Sequence, residues 1–501
     1  MPRRTGAITL MLPVRQKGDP ANKWLYDSLL VEILAGRLRP GTRLPATRDF
    51  ARQYGLSRGT IVNAIEQLKL EGYVEGVTGS GTYVRKTLPE ELLHVTPTTH
   101  SHEGRAVSRR RRASSYGEKV SRFPEYGDRP IRAFRANIPD LAMFPTDIWG
   151  RLATRRWRRA SAKLLLGCEA SGYVPLRQAI AEYLVTSRGV RCTWQQVVVV
   201  AGVQEAIDLV ARLWLGPGDR VGMENPGYPG AVRVFRALGA EISWLSVDSE
   251  GAVPDARRLS GARMVYVTPS HQFPLGVNMS LGRRLQIIAW ARKENAIIFE
   301  DDYDSEFRYA ARPIPALQGL DDNGVVVFAG SFSKVLFPAL RLGYVVVPED
   351  LVGRFEAAKS ITTRHAQLLD QAVLTDFIAE GHFARHLRRM RQVYAERLSV
   401  LMRGAEEELA GVLTIPRVDA GLQTVGWLAR GFDALRVAAE AAKRSVEVTA
   451  LQHFSHGNVA RRGLQIGFAA VDSNEIRRGL RELAGILAEI PARSKTLRGA
   501  P

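Results

Sequence analysis

Apolar positions change their spacing along this chain, and the changes mark out its parts. Trp24, Leu25, Leu29, Leu30, Ile33 and Leu34 recur at helical spacing, and Gly36 ends the run. A turn-rich stretch, Arg39-Pro-Gly-Thr-Arg-Leu-Pro45, comes next. Thr47 can cap a short helix, Arg48–Tyr54, which Gly55 closes. Ser57 can cap a third, Arg58–Glu71, with Ile61, Ile65 and Leu68 on one face and Gly72 as its stop. Tyr73–Glu75 and Thr82–Val84, on either side of Gly79-Ser-Gly81, predict a two-stranded hairpin. Three helices and a hairpin predict a winged helix-turn-helix over residues 23–86.

The flanks of this unit lack periodicity. Residues 1–22 read as an extension, and 87–130, poor in apolar residues and holding the run Arg109–Arg112, as a mobile basic linker. From about Ile131 the pattern is α/β. Runs at Val197–Val200, Ile242–Leu245, Met264–Val267, Ile297–Phe299, Val325–Phe328 and Tyr344–Val347 mostly alternate with amphipathic stretches such as Gln204–Leu215, Leu281–Lys293 and Asp350–Ser360. That alternation predicts a mainly parallel sheet covered by helices. A long helical tract, roughly Leu369–Glu408, and a smaller α/β segment close the chain, giving a large subdomain over 160–365 and a small one over 366–501.

Composition narrows the class. At 45% hydrophobic and 24% charged, the 501 residues can bury more than one core and still face water. No apolar run reaches membrane-span length and no signal-peptide core follows Met1–Arg4, so a cytoplasmic protein with no membrane partner is expected. Cys168 and Cys192 give neither a disulfide framework nor metal-ligand spacing, and no metal is expected. The net charge is +19, and residues 1–130 hold 22 Lys/Arg against 13 Asp/Glu, a denser excess than in the remainder. A phosphate-binding module would show this, but so would solubility charge with a basic tail.

Motif chemistry separates those readings. The third predicted helix opens Ser57-Arg58-Gly59-Thr60, two hydroxyls and a guanidinium at the end where free backbone N–H groups already favour phosphate. Arg43, Thr47 and Arg48 flank it, and Gly79 and Gly81 allow a tight wing tip. A winged helix used for protein contacts is the alternative. The pattern Leu-Pro-Ala-Thr-Arg-Asp-Phe-Ala (44–51), Gly-Leu-Ser-Arg-Gly-Thr-Ile (55–61), Leu-Glu-Gly-Tyr-Val (70–74) and Gly-Ser-Gly-Thr-Tyr-Val (79–84) resembles the GntR family of bacterial regulators. The resemblance implies a double-stranded DNA operator as partner.

In the second half, four segments put polar chemistry at strand ends. Val197–Val200 runs into Ala201-Gly202-Val203-Gln204, a small-residue turn that can cradle a phosphate, as many α/β turns can. Ser331-Phe-Ser333-Lys334 and Arg341 follow another strand: a lysine amine can form a Schiff base with an aldehyde, and hydroxyls with an arginine suit a phosphomonoester. Glu300-Asp301-Asp302-Tyr303 ends a third strand, where a carboxylate can pair with a protonated ring nitrogen, or where the acids can simply cap the next helix. Tyr228, in Glu224-Asn-Pro-Gly-Tyr228, can stack on a flat ring or be an ordinary loop aromatic.

Taken in order and spacing, these segments resemble fold-type I aminotransferases, as do Gly172-Tyr-Val-Pro-Leu-Arg177 and the stretch Gly381–Arg391. With the GntR-like head, the chain resembles the MocR/GabR subfamily: a winged helix-turn-helix joined to a C-terminal α/β PLP-dependent aminotransferase fold of type I. The resemblance implies pyridoxal 5'-phosphate (PLP) as cofactor, held on Lys334 as an internal aldimine. It implies Asp301 at the ring nitrogen, Tyr303 at the ring oxygen and Tyr228 on the ring face, with Gly202, Val203, Gln204, Ser331, Ser333 and Arg341 around the phosphate. It also implies a homodimer.

The chain departs from the aminotransferase pattern. Phe273-Pro-Leu-Gly276 stands where Asn-Pro-x-Gly is usual, leaving His271 or Gln272 as partial substitutes for the asparagine. Gln465, in Leu464-Gln465-Ile-Gly-Phe468, stands where an arginine usually grips the substrate carboxylate, with Arg461 or Arg462 as stand-ins if the register slips. Gly167 or Cys168 replaces a tyrosine. The expectation is therefore a regulator that senses a small amine or amino-acid-type effector, with Gln465 and Arg461 as effector-binding residues. The alternatives are an active aminotransferase carrying a DNA-binding head, and a dimer scaffold.

Overall fold

In the computed structural model the described residues are 10–15, 18–87, 112–122, 130–309, 315–457 and 461–490. They fall into two compact units, one within residues 1–111 and one within 112–501.

The first unit holds helices α1 (Ala21–Leu34), α2 (Thr47–Tyr54) and α3 (Arg58–Leu70) and a hairpin of strands β1 (Val74–Val77) and β2 (Gly81–Val84). Leu25, Leu29, Ile33, Phe50, Ile61, Ile65, Leu68, Val74 and Val84 meet in its core. Ser57 caps α3, its Oγ accepting from Thr60 N–H at 3.1 Å. Thr47 does not cap α2. Ala46 occupies the cap position and Thr47 is the first helical residue, so the first turn goes without a side-chain cap.

Two segments read as irregular pack in place. Thr42–Leu44 runs beside the wing: Leu44 N–H donates to Thr82 O (2.8 Å) and Val84 N–H to Thr42 O (2.9 Å). Leu10, from the expected extension, is buried in the core, and its carbonyl accepts from Gln53 Nε2 at 2.7 Å and from the Tyr54 hydroxyl. Of the expected linker, Arg109–Arg111 lies outside the described residues. Its described part includes a short helix, Ser115–Lys119, and Tyr116 lies 5.3 Å beneath the Arg212 guanidinium of the second unit's own sheet-covering helix.

The second unit is built on an eight-stranded sheet: β3 (Val197–Val200), β4 (Arg220–Asn225), β5 (Glu241–Asp248), β6 (Gly251–Ala252), β7 (Ala262–Val267), β8 (Ile297–Asp302), β9 (Val326–Ser331) and β10 (Gly343–Val346). The strand order is β3-β10-β9-β8-β7-β4-β5-β6. β4, β5, β7, β8 and β9 run parallel, as their continuous apolar runs predict. β10 is antiparallel to both neighbours. Only Phe332–Leu342 separates it from β9, too short for the helical crossover that a parallel pair needs. The expected helical tract is two helices, Leu368–Ala379 and His382–Glu408, broken at Gly381 with φ +72°. The chain ends in an antiparallel four-stranded sheet, β11 (Leu413–Thr414), β12 (Gln423–Leu428), β13 (Thr449–Ala450) and β14 (Gly463–Gly467), in the order β11-β12-β14-β13. Among the described residues no helix is long and apolar enough to cross a membrane.

This topology gathers the chemistry. The C-terminal ends of β3, β4, β7, β8 and β9 and the start of β10 share one edge of the large sheet, the edge where open α/β sheets bind ligands.

Phe50, fully buried in the first core, tests the division into two units. Phe50→Ala should destabilise the head by about 3–5 kcal/mol. Hydrogen exchange should quicken across residues 21–84 while β7–β9 stay protected, and equal loss of protection in both units is the result that would count against it.

Candidate functional site: a lysine among buried acids

Lys334 leaves the end of β9 half-buried, and its Nζ donates to the Asn137 carbonyl at 2.7 Å. Asn137 takes a left-handed φ of +64°, a conformation asparagine tolerates better than most residues. Burial pushes the Lys334 amine down to about 8; Asp304 and Asp301 oppose the shift and Arg341 adds to it.

β8 brings three consecutive acids inside. Successive side chains on a strand face opposite ways. Asp302 Oδ2 meets Arg188 Nε (2.8 Å) and Ser305 Oγ (2.8 Å), so it belongs to a structural ion pair, although its Oδ1 has no partner. Asp301, on the face shared with Phe299 and Tyr266, accepts from the Tyr266 hydroxyl at 2.5 Å, and its Oδ1 is buried without a partner. Burial raises its carboxyl to about 7, with the Tyr266 bond and Lys334 pulling the other way. Of the two aspartates, Asp301 is the one with a free oxygen beside Lys334.

Tyr303 follows on the turn, its hydroxyl 3.1 Å from His271 Nδ1, which also lies 3.0 Å from Asp304 Oδ2. His271 thus faces the site, whereas the Gln272 amide is spent on Pro226 O (2.9 Å), Phe273 O (2.7 Å) and Glu224 (3.2 Å). Phe273 fills the position of the missing asparagine with a ring edge-on to Tyr228 and Tyr303.

A second cluster forms at the start of helix Val203–Trp214. Gly202 has φ +99°, and a Cβ there would lie 3.3 Å from the Arg341 guanidinium. Arg341 is itself left-handed (φ +49°). Ser331 and Ser333 are buried alongside, with Ser333 N–H donating to Ser331 Oγ at 3.1 Å. The free N–H groups of a helix N-terminus, two hydroxyls and a guanidinium therefore converge. The Gln204 side chain is committed elsewhere, donating to Gly230 O (3.1 Å) and accepting from the Tyr228 hydroxyl (3.2 Å). It holds Tyr228 in place, which leaves its backbone N–H for the cluster.

Gln465 is buried on β14, and β14 pairs with β12 in a single register, so no slip brings in an arginine. Arg461 is exposed and lies 4.6 Å over the Trp427 ring; Arg462 reaches Phe432 O at 3.3 Å. Asn137, Tyr266, Asp304 and Gln423 join the site with no motif to announce them. Alternation along β7 from Val267 could have put Tyr266 on the Phe299 face, but Asn137 and Gln423 come from distant segments brought in only by folding.

In the head, Ser57, Arg58, Gly79, Gly81, Arg43 and Arg48 are exposed, and Thr47 and Thr60 are half-buried. Ser57 and Thr60 hydroxyls are 2.8 Å apart at the open end of α3. Arg43 lies across the wing, its Nε 2.8 Å from where a Cβ of Gly81 would stand, so Gly81 (φ +122°) makes room for the guanidinium.

Fold and site together define a class: a winged-helix DNA-binding head followed by a fold-type I aminotransferase domain. Residues 22–84 match the model of the bacterial regulatory proteins of the gntR family, and residues 145–483 that of aminotransferase class I and II. The chain is 40% identical over 475 residues to the probable rhizopine catabolism regulatory protein MocR of Rhizobium meliloti, covering 94% of this chain and 95% of that one. It is 31% identical over 452 residues to the pyridoxine biosynthesis transcriptional regulator PdxR of Corynebacterium glutamicum (90% and 92%). Pyrococcus horikoshii kynurenine aminotransferase, solved with PMP, superposes with a TM-score of 0.66 at 25% identity, covering 76% of this chain and 95% of that one. The chain belongs to the MocR-type regulators of the GntR family, DNA-binding proteins with an aminotransferase-like domain.

Because burial lowers Lys334, its amine should label at a lower pH than other lysines. Competitive acetylation read by mass spectrometry should reach half-maximum near pH 8, rising with pH as the neutral amine forms. Titration alongside the surface lysines would rule out the buried environment.

Proposed function

We propose that the chain is a transcription regulator that holds PLP on Lys334 and senses a small amine or amino-acid-type effector there. The observation carrying this is the buried, half-satisfied Asp301 beside a desolvated Lys334 at one sheet edge. The residues fit the cofactor. Asp301 Oδ1 lacks a donor, which a protonated ring nitrogen would supply. Gly202 leaves open the space beneath Arg341, where Ser331, Ser333 and the N–H groups of Val203 and Gln204 can take a phosphate. Tyr228 would cover the ring face and Tyr303 bond the ring oxygen.

Bound PLP would supply an aldehyde carbon that exchanges one amine for another, and a ring that withdraws electrons. The protein's own part is to keep the Lys334 amine near neutrality, to orient the ring by Asp301 and Tyr303, and to keep water out with the Phe273, Tyr228 and Phe454 rings. An effector amine that displaces Lys334 frees a buried lysine, and that change biases the domain between two arrangements. Gln465 in place of a carboxylate-gripping arginine favours sensing over amino-acid turnover.

A homodimer reading two half-sites goes with this function. Leu165, Leu166 and Ile361 are 66%, 88% and 86% exposed, and the His365 ring abuts Gly167 between their segments, an apolar patch suited to burial against a second copy. A DNA partner goes with work in the cytoplasm.

Two experiments test the reading. PLP-loaded wild type should absorb in the visible range and Lys334→Ala should not, with no sustained turnover of amino acid and keto acid by either. Arg58→Ala should weaken binding to the chain's own operator by about 1–3 kcal/mol while the protein still binds PLP; unchanged affinity and salt dependence would remove Arg58 from the DNA interface.

A further inference from the structure

The small sheet has two faces with different surroundings. Leu428, Leu464 and Ile466 on one face join the main core with Leu413. Gln423 pairs opposite Gly467 and Val425 opposite Gln465, so Gln423, Val425 and Gln465 share the other face. Both glutamines are 1% exposed. Neither amide atom of Gln423 has a hydrogen-bond partner, and neither does Nε2 of Gln465. Folded proteins leave few such groups unmet, because a buried amide without partners has lost its water and gained nothing in return.

This face looks onto the site described above. Gly421 lies so close to the His271 ring that a Cβ could not fit between them, and Leu422 N–H donates to Asp304 Oδ2 at 3.2 Å. The next residue, Gln423, turns its amide toward the Tyr303 hydroxyl without closing a well-aligned hydrogen bond. The charged groups acting on that hydroxyl are Asp304, Asp301 and Glu224, all acidic. Three arginines flanking the small sheet have other partners. Arg461 lies over Trp427, Arg462 reaches Phe432 O, and Arg135, whose main chain crosses Gly467, pairs with Glu447 at 3.8 Å.

We propose that the Gln423–Gln465 face binds the far end of the effector, and that this end is uncharged: the effector is a primary amine bearing a carboxamide or hydroxyl group there, not a carboxylate. The inference rests on the sensing reading above. A carboxamide or hydroxyl both donates and accepts, and so can meet the free oxygen of Gln423 as well as the free N–H groups of both glutamines. A carboxylate only accepts. It would face Gln423 Oε1 and the acids around Tyr303, and no guanidinium is among the groups acting on that hydroxyl.

The PLP-loaded full chain, titrated with isosteric pairs, separates the two ideas. L-Alanine, β-alanine and taurine are compared with L-alaninamide, β-alaninamide and 2-aminoethanesulfonamide, with 2-amino-1,3-propanediol as the hydroxyl probe. Binding is followed by tryptophan fluorescence and calorimetry, neither of which needs turnover. At least one uncharged probe should bind about tenfold or more tightly than its charged counterpart. Gln465→Arg should reverse the preference within the same pair. Gln465→Leu, close in size and free of added charge, should erase it if the arginine variant does not fold. Carboxylates that bind the wild type as tightly as the amides overturn the inference and leave sensing intact. No response to any probe, with PLP bound, overturns sensing and this inference together.

Discussion

The larger unit is organised around the cost of burying acids. Glu300, Asp301 and Asp302 are consecutive on β8, and Asp304 and Glu306 follow within the same turn, all of them buried. A carboxylate taken from water is tolerated only when charges or donors replace the water, or when it takes up a proton. Glu306 accepts from the Tyr183 hydroxyl at 3.3 Å, and burial pushes its carboxyl up to about 7; the other four each have their own answer. Glu300 accepts from the N–H groups of Leu317 (2.9 Å) and Gln318 (3.0 Å), which fixes the chain after the site. Asp302 takes Arg188 from helix Val174–Arg188 and so ties that helix to the sheet. Asp304 holds His271 from the loop after β7 and Leu422 from the small sheet, so one carboxylate joins three segments. Asp301, beside Lys334, is left with one donor and one open oxygen, and burial holds it near 7. The first three are structural solutions; the last belongs to the candidate site.

That division explains which parts were legible in the sequence. The elements follow from periodicity because burial follows from it: continuous apolar runs mark β3, β7, β8 and β9, and the Ser57 cap and Gly55 mark the edges of α2 and α3. The direction of β10 was not legible as an alternation of strand and helix, because it depends on the length of one connection. Nor was the packing of Leu10, since a single apolar residue has no period. At the site, Lys334, Asp301, Tyr303, Ser331, Ser333 and Arg341 sit in short segments whose spacing carries their meaning. Asn137 offers only a carbonyl and Gln423 a neutral amide, and neither residue type signals a role until the fold sets it beside a charge.

The same physics bears on Gln465. An arginine on this face would share the pocket with the acids around Tyr303 and help neutralise them. Its replacement by glutamine takes that positive charge off the face. Arg188 is turned to Asp302 and cannot serve both. On the proposed reading the pocket would select by sign before it selects by shape, because an anionic tail on this face would lack the partner that an arginine gives.

The proposed sensing role asks that the unliganded arrangement be stable enough to persist and loose enough to change. The small sheet is fastened to the large one by a few polar contacts near the site. Phe307 O accepts from Gly421 N–H (2.8 Å), the Asn225 side-chain amide donates to His456 O (2.9 Å) and accepts from His456 N–H (2.8 Å), and Phe454 O accepts from Gly227 N–H (2.9 Å). Phe454 also packs edge-on against Phe273, the residue that replaces the usual asparagine, at 5.2 Å. The substitution that removes a polar partner from the ring oxygen thus adds an apolar contact to the segment covering the site. Lys334 interacts by charge with Asp304 and Asp301, and Asp304 accepts from Leu422 N–H, so on the proposed reading a change at the lysine would load Asp304 and, through Leu422, the strand that carries Gln423.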